Sequence, residues 1–150
     1  MPIGDFYEPF WSEFRLRNGD LNTHSGYRRR AEDLRQHYVG ARSDHWPNVY
    51  CHIGFTMLDG PRKLFVEFYT GDREGAGWEE FRQQISGLAL APPLVLQAQA
   101  GDTSARMIRY LTGPLTQGAM AVRREELMDL ASQQYRGVVG HILPLAPPPA

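Results

Sequence analysis

Two short alternating segments, set on either side of a tight turn, constrain this chain more than anything else in it. From Val49 to Leu58, the residues Val49, Cys51, Ile53, Phe55 and Met57 fall on one side of an extended chain. From Leu64 to Thr70, Leu64, Val66 and Phe68 do the same. A side-chain period of two over such lengths marks a strand with one buried face. Between the segments lies Asp59-Gly60-Pro61-Arg62-Lys63, in which glycine supplies backbone freedom and proline presets φ. The stretch predicts an antiparallel hairpin. A four-residue loop over Gly60–Lys63 places Met57 opposite Val66 and Phe55 opposite Phe68, so the two apolar sets coincide. The other face then holds Tyr50, His52 and Thr56 beside Phe65, Glu67 and Tyr69, with Tyr69 across from Gly54.

Helical spacing dominates elsewhere. Phe10, Trp11 and Phe14 cluster on one side of a helix expected from about Pro9 to Arg17, and Asn18-Gly19 supplies its stop. Tyr27, Ala31, Leu34 and Tyr38 recur at helical intervals from about Ser25 to Tyr38, and Ala41 to Asn48 reads as a loop. Thr70 to Gly77 is a glycine-rich, flexible connector. It leads into a helix from about Trp78 to Leu90 with Trp78, Phe81, Ile85 and Leu88 inward. A second hairpin is expected from Leu94–Ala100 and Ala105–Thr112. A last helix runs from about Val122 to Tyr135, and Gly137 and Gly140 disfavour its extension.

The expected order is α-α-β-β-α-β-β-α. Two hairpins with intervening helices predict an α+β fold: an antiparallel sheet of about four strands, with helices packed on one face. At 150 residues this is one domain, spanning 1–143, with 144–150 a flexible proline-rich tail. Hydrophobic residues make up 42% and charged residues 22%, which excludes a disordered chain. The net charge of −1 gives no whole-molecule attraction to nucleic acid or anionic membrane. Cys51 is the only cysteine, so an intramolecular disulfide and multi-thiolate zinc sites are excluded, and it reads as a small buried hydrophobe. The opening residues lack a basic and apolar leader, and no stretch approaches the ~20 apolar residues of a membrane span, so the expected setting is cytoplasmic.

The polar face of the first hairpin is the best candidate for chemistry. His52 and Glu67 on neighbouring strands could share a proton and act as an acid/base pair; alternation alone also places polar residues on a solvated face. Arg28, Arg29 and Arg30 with Arg35 form the one dense basic cluster, suited to phosphate or to salt bridges with Glu32 and Asp33. His24, His37, His45 and His141 lack metal-ligand spacing, so no metal or other cofactor is expected. The restriction-type acid-x-Lys triplet is not matched, because Glu67-Phe68-Tyr69 carries no lysine. No phosphate loop, dinucleotide fingerprint or nucleophile elbow occurs.

Phe10-Trp11-x-x-Phe14, His52 within its alternating strand, and Lys63-Leu64-Phe65-Val66-Glu67-Phe68-Tyr69 together resemble a family of uncharacterised bacterial and archaeal domains found alone or fused to nuclease-like modules. The resemblance covers roughly Phe10 to Ile142; the spacing from Trp46 to the Glu67 strand is shorter here. It implies an α+β fold and an association with restriction or phage defence, and it implies no catalytic residues. The expected function is a non-catalytic, protein-binding interaction or accessory module in a bacterial nucleic-acid or phage-conflict system. Its binding residues would be Tyr50, His52, Phe65, Glu67 and Tyr69, with nucleic acid met through Arg28–Arg30. The alternatives are a small hydrolase using His52 and Glu67, and a homo-oligomer pairing through the sheet face with Tyr50, Phe65 and Tyr69.

Overall fold

The computed structural model describes residues 3–18, 23–25, 37–42, 46, 48–56, 60–75, 77–86, 95–98 and 103–142. In chain order these form α1 (Ile3–Arg17), β1 (Thr23–Ser25), β2 (Tyr38–Arg42), β3 (Tyr50–Phe55), β4 (Leu64–Thr70), α2 (Trp78–Ser86), β5 (Val95–Ala98), β6 (Ala105–Tyr110), α3 (Gln117–Val122) and α4 (Arg124–Ile142). The strands make one antiparallel sheet in the spatial order β1-β2-β3-β4-β6-β5. The fold is mixed α+β. Both predicted hairpins are present as β3-β4 and β5-β6, and they join through β4 and β6. Two further strands extend the sheet beyond β3, so it is wider than the four strands expected. No described helix is long and apolar enough to cross a membrane.

The hairpin faces are those the alternation predicts, but the register differs. Phe55 pairs with Leu64 rather than Phe68, and Ile53 takes the place opposite Val66 that was expected for Met57. The slip is even, so every side chain keeps its face. The strands stop where Thr56 closes the hairpin. Its N–H donates to the Lys63 carbonyl at 2.9 Å, and its hydroxyl accepts from the Lys63 N–H at 3.0 Å. Phe65, not Tyr69, lies across from Gly54, and Tyr38 abuts that glycine from β2.

On the first face, Phe55 is ringed by Phe6, Tyr7, Phe10 and Trp11 of α1, with centroids 5.5–5.9 Å away. This explains why α1 begins well before Pro9: Phe6 and Tyr7 extend the buried stripe by one turn. The proline forfeits only one backbone bond, at an exposed position. Phe14 packs edge-on against Tyr135 of α4. The two helices run in the same direction, since Pro9, Arg17 and Asn18 meet Arg124, Asp129 and Ser132 in turn. Farther along the sheet, Phe81 of α2 sits among Trp46, Phe68 and Trp78. The helices α1, α2 and α4 thus share one face of the sheet.

Three further expectations need correction. The segment read as a second helix has strand at its described ends, Ser25 in β1 and Tyr38 in β2, and residues 26–36 lie outside the described residues. At its start, Val39 pairs with Ile53 and is fully buried, so alternation wins there over the helical stripe. The last helix is α4, preceded by the short helix α3 that was not expected, and it continues through Gly137 because Val138 prolongs the buried line of Leu127, Ala131 and Tyr135. Burying a valine contributes about 1.5–3 kcal/mol against about 1 kcal/mol for a helical glycine. Finally, the glycine-rich connector after β4 is a pinned turn. Thr70 and Asp72 share hydrogen bonds, and the Arg73 N–H donates to the Thr103 carbonyl at 2.7 Å.

These contacts rank three substitutions by their cost in urea unfolding. Phe55→Ala should remove about 3–5 kcal/mol, because four aromatic rings lose their shared partner. At Gly54 a Cβ would stand 2.4 Å from the Tyr38 Cβ and 2.7 Å from the His37 carbonyl oxygen. Gly54→Ala should therefore cost at least about 2 kcal/mol. Gly60 has open space around it but a φ of 113°, so Gly60→Ala should cost only the strained backbone, about 1–2 kcal/mol.

Candidate functional site

The second face of the sheet is not a solvated surface. Along β3 and β4 nearly every residue is buried on both sides: His52 is 7% exposed, and Glu67 and Phe65 are each 5% exposed. Across the strands, His52 is the direct partner of Glu67, and Tyr50 of Tyr69. The corrected register produces this opposition. His52 Nδ1 and Glu67 Oε2 are 3.0 Å apart, a charge-assisted hydrogen bond when the carboxyl is ionised. The other carboxylate oxygen, Oε1, accepts from Arg106 Nη1 at 3.4 Å. Arg106 comes from β6, where it pairs with Tyr69. One buried carboxylate thereby ties three strands together.

The imidazole stands among three tyrosine rings. Tyr38 from β2 is 4.5 Å away, Tyr69 from β4 5.7 Å, and Tyr50 stacks at 6.1 Å. Gly40 is His52's partner on β2, leaving that side without a side chain, and His24 of β1 occupies the next register position. Among the described residues no group donates to or accepts from His52 Nε2. The carboxylate orients the ring through Nδ1, and Nε2 is then the nitrogen through which such a histidine could act as a base or as a recognition group.

The five hairpin residues singled out from the sequence, Tyr50, His52, Phe65, Glu67 and Tyr69, do share this face. Phe65 is already inside the fold, so it offers little to a second copy of the chain. Arg28, Arg29 and Arg30 lie outside the described residues. Three residues of the site were not foreseen. Tyr38 was assigned to a helix. Arg106 could have been found from the alternation of β6, where Ala105 and Met107 face the core and their neighbour must face away. The third is His37, whose backbone carbonyl accepts from Phe55 N–H at 2.8 Å. Burial, and then the charge of His52, hold its imidazole down at about 4; Glu67 pulls the other way, and Arg62 adds to the depression. Arg62 is close enough to act on Tyr7 as well, whose phenol burial pushes up to about 12. Cys51 faces the opposite side of the sheet, and burial raises its thiol well above the ordinary range. Among the described residues no cluster of three or more His, Cys, Asp or Glu is placed to hold a metal ion.

His37 makes the fold pH-sensitive. In the folded chain it stays neutral down to about 4, while in the unfolded chain it binds a proton below 6.5. Its contribution is fully present above 6.5 and is lost as the pH falls towards 4, on the order of 3 kcal/mol in all. Urea unfolding of His37→Gln should show a flatter stability profile over that window than the parent; parallel profiles would contradict the assignment. Compared with protein-family models, with curated proteins and with solved structures, the chain matches none.

Proposed function

We propose that this chain is a non-catalytic recognition module that reads a polar group of a protein partner at His52. The tie between His52 Nδ1 and Glu67 Oε2 carries this reading. It fixes the imidazole in the tautomer with its proton on Nδ1, so Nε2 is an acceptor while the ring is neutral and a donor once it is protonated. A hydroxyl or amide of the partner would donate to the first form, and a carboxylate would accept from the second. The tyrosines supply a lined approach in which aromatic contact adds to a single directed hydrogen bond. Because His52, Phe65 and Glu67 are buried, the partner reaches them by inserting a side chain rather than by lying flat across the sheet. The resemblance to nuclease-associated domains is the one ground for placing such a module in a bacterial phage-conflict setting.

A second reading, a small hydrolase, draws on the same pair, since a carboxylate-oriented histidine is the base half of many hydrolytic sites. Among the described residues no serine, threonine or cysteine is hydrogen-bonded to His52. Catalysis would then run through a water molecule activated at Nε2. Loss of p-nitrophenyl ester turnover in both His52→Gln and Glu67→Gln would favour this reading over the first.

Recognition at His52 makes two joint demands. Long-range proton–nitrogen correlation spectra should show neutral His52 protonated on Nδ1. A protein captured by the parent chain should be retained at least tenfold less by His52→Gln, while the variant's thermal melt stays cooperative. Equal capture by both chains would sink the proposal.

A further inference from the structure

β6 carries a second arginine, on the face opposite Arg106, and its surroundings differ in kind. Ala105 and Met107 point into the core, and the next residue on that face is Arg109, which pairs with Val66 and is 6% exposed. Burial alone pulls its guanidinium below the usual range. A buried cation is ordinarily matched by a carboxylate, since uncompensated desolvation costs several kcal/mol. Among the described residues no acid lies within ion-pair distance of Arg109. Its one described side-chain partner is neutral: Nη1 donates to Oε1 of Gln134 on α4 at 3.0 Å. Both Nε and Nη2 are buried, and among the described residues no acceptor meets either.

Those two nitrogens are not an arbitrary pair. Nε–H and the adjacent Nη2–H lie parallel along one edge of the guanidinium, the side-on fork that matches the two oxygens of a carboxylate. Gln134 holds the opposite end and so sets the rotation of the plane. Val66 and Met107, on the same face of the sheet, are buried, as are Ala131 and Tyr135 on α4 near Gln134, and among the described residues no acid offsets the single positive charge of Arg109. A singly charged anion neutralises it, whereas a dianion would bury an uncompensated charge.

We propose that Arg109 is the anchor of a binding site for a small monocarboxylic acid with an apolar body. The carboxylate takes the Nε/Nη2 fork, and Gln134 acts as a positioning residue. The site lies on the opposite face of the sheet from His52 and does not depend on the role given to that residue. The experiment follows the Arg109 Nε–Hε signal in proton–nitrogen spectra of the whole chain during titration with sodium acetate, butyrate and inorganic phosphate. Butyrate should shift the signal downfield and saturably. It should bind more tightly than acetate by about fourfold per added methylene, as expected for burial of each CH2. Phosphate should act weakly. Arg109→Gln should lose the thermal stabilisation that butyrate gives the parent, and Gln134→Leu should weaken butyrate binding without abolishing it. An unmoved Nε–Hε signal at tens of millimolar butyrate would overturn the proposal without recourse to any variant. So would equal stabilisation of Arg109→Gln, or a response to phosphate as strong as that to butyrate.

Discussion

Phe55 is the contact on which the arrangement of layers depends. It is the last residue of β3, where the strand gives way to the turn, and it meets four aromatic rings of α1 at once. That contact fixes where α1 lies on the sheet. With α1 placed, Phe14 fixes Tyr135 and therefore α4, and α4 in turn brings Gln134 to Arg109. The ion pairs along the α1–α4 seam, Arg17 with Glu125 and Asp129, and Arg124 with Glu13, decorate this arrangement. They are exposed to half-exposed, and pairs of that kind contribute only about 0–1 kcal/mol. The aromatic residues share partners, so truncations among them should not add independently.

The legibility of this fold follows from which interactions are local. Faces of a strand depend only on parity, and parity survives an even slip, so the split of β3 and β4 into core and polar faces was readable. Register depends on where the strand must stop. It stops after Phe55, where Thr56 closes onto Lys63 and where α1, far away in sequence, claims the Phe55 ring. β2 was missed for a related reason. Tyr38 closes a helical stripe in the sequence, yet Val39 gains more by burial against Ile53 than a helix terminus could supply. In the same way, Gly137 reads locally as a stop, and only the buried place waiting for Val138 explains why α4 runs through it.

The candidate site shows the same division. His52 and Glu67 were legible as neighbours on one face. Their direct opposition was not, because it rests on the register. The face of Arg106 was readable from the alternation of β6, but the place of β6 beside β4 was not, and His37 acts on the pair from a segment read as helix. The exposure of the face was also misjudged: alternation says that a side is polar, but polarity does not say that the side meets water. A buried histidine and carboxylate can pair with one another and with a partly exposed arginine, which is what the 3.0 Å and 3.4 Å contacts achieve.

Arg106 and Arg109 set the contrast that gives the second face and the core different chemistry. They lie three residues apart on one strand, and so on opposite faces. Arg106 keeps part of its side chain in solvent and leans on Glu67, so its charge is met twice over. Arg109 has neither outlet. For stability alone, an apolar residue of similar volume would serve better at that position, because replacing a buried charge by a well-packed hydrophobe is often neutral or stabilising by about 1–4 kcal/mol. A buried guanidinium whose side-on fork meets no acceptor among the described residues is therefore poorly explained as scaffolding. Its geometry is that of a receptor already oriented for its ligand, with the ordering entropy of the arginine side chain spent in folding rather than at the moment of binding.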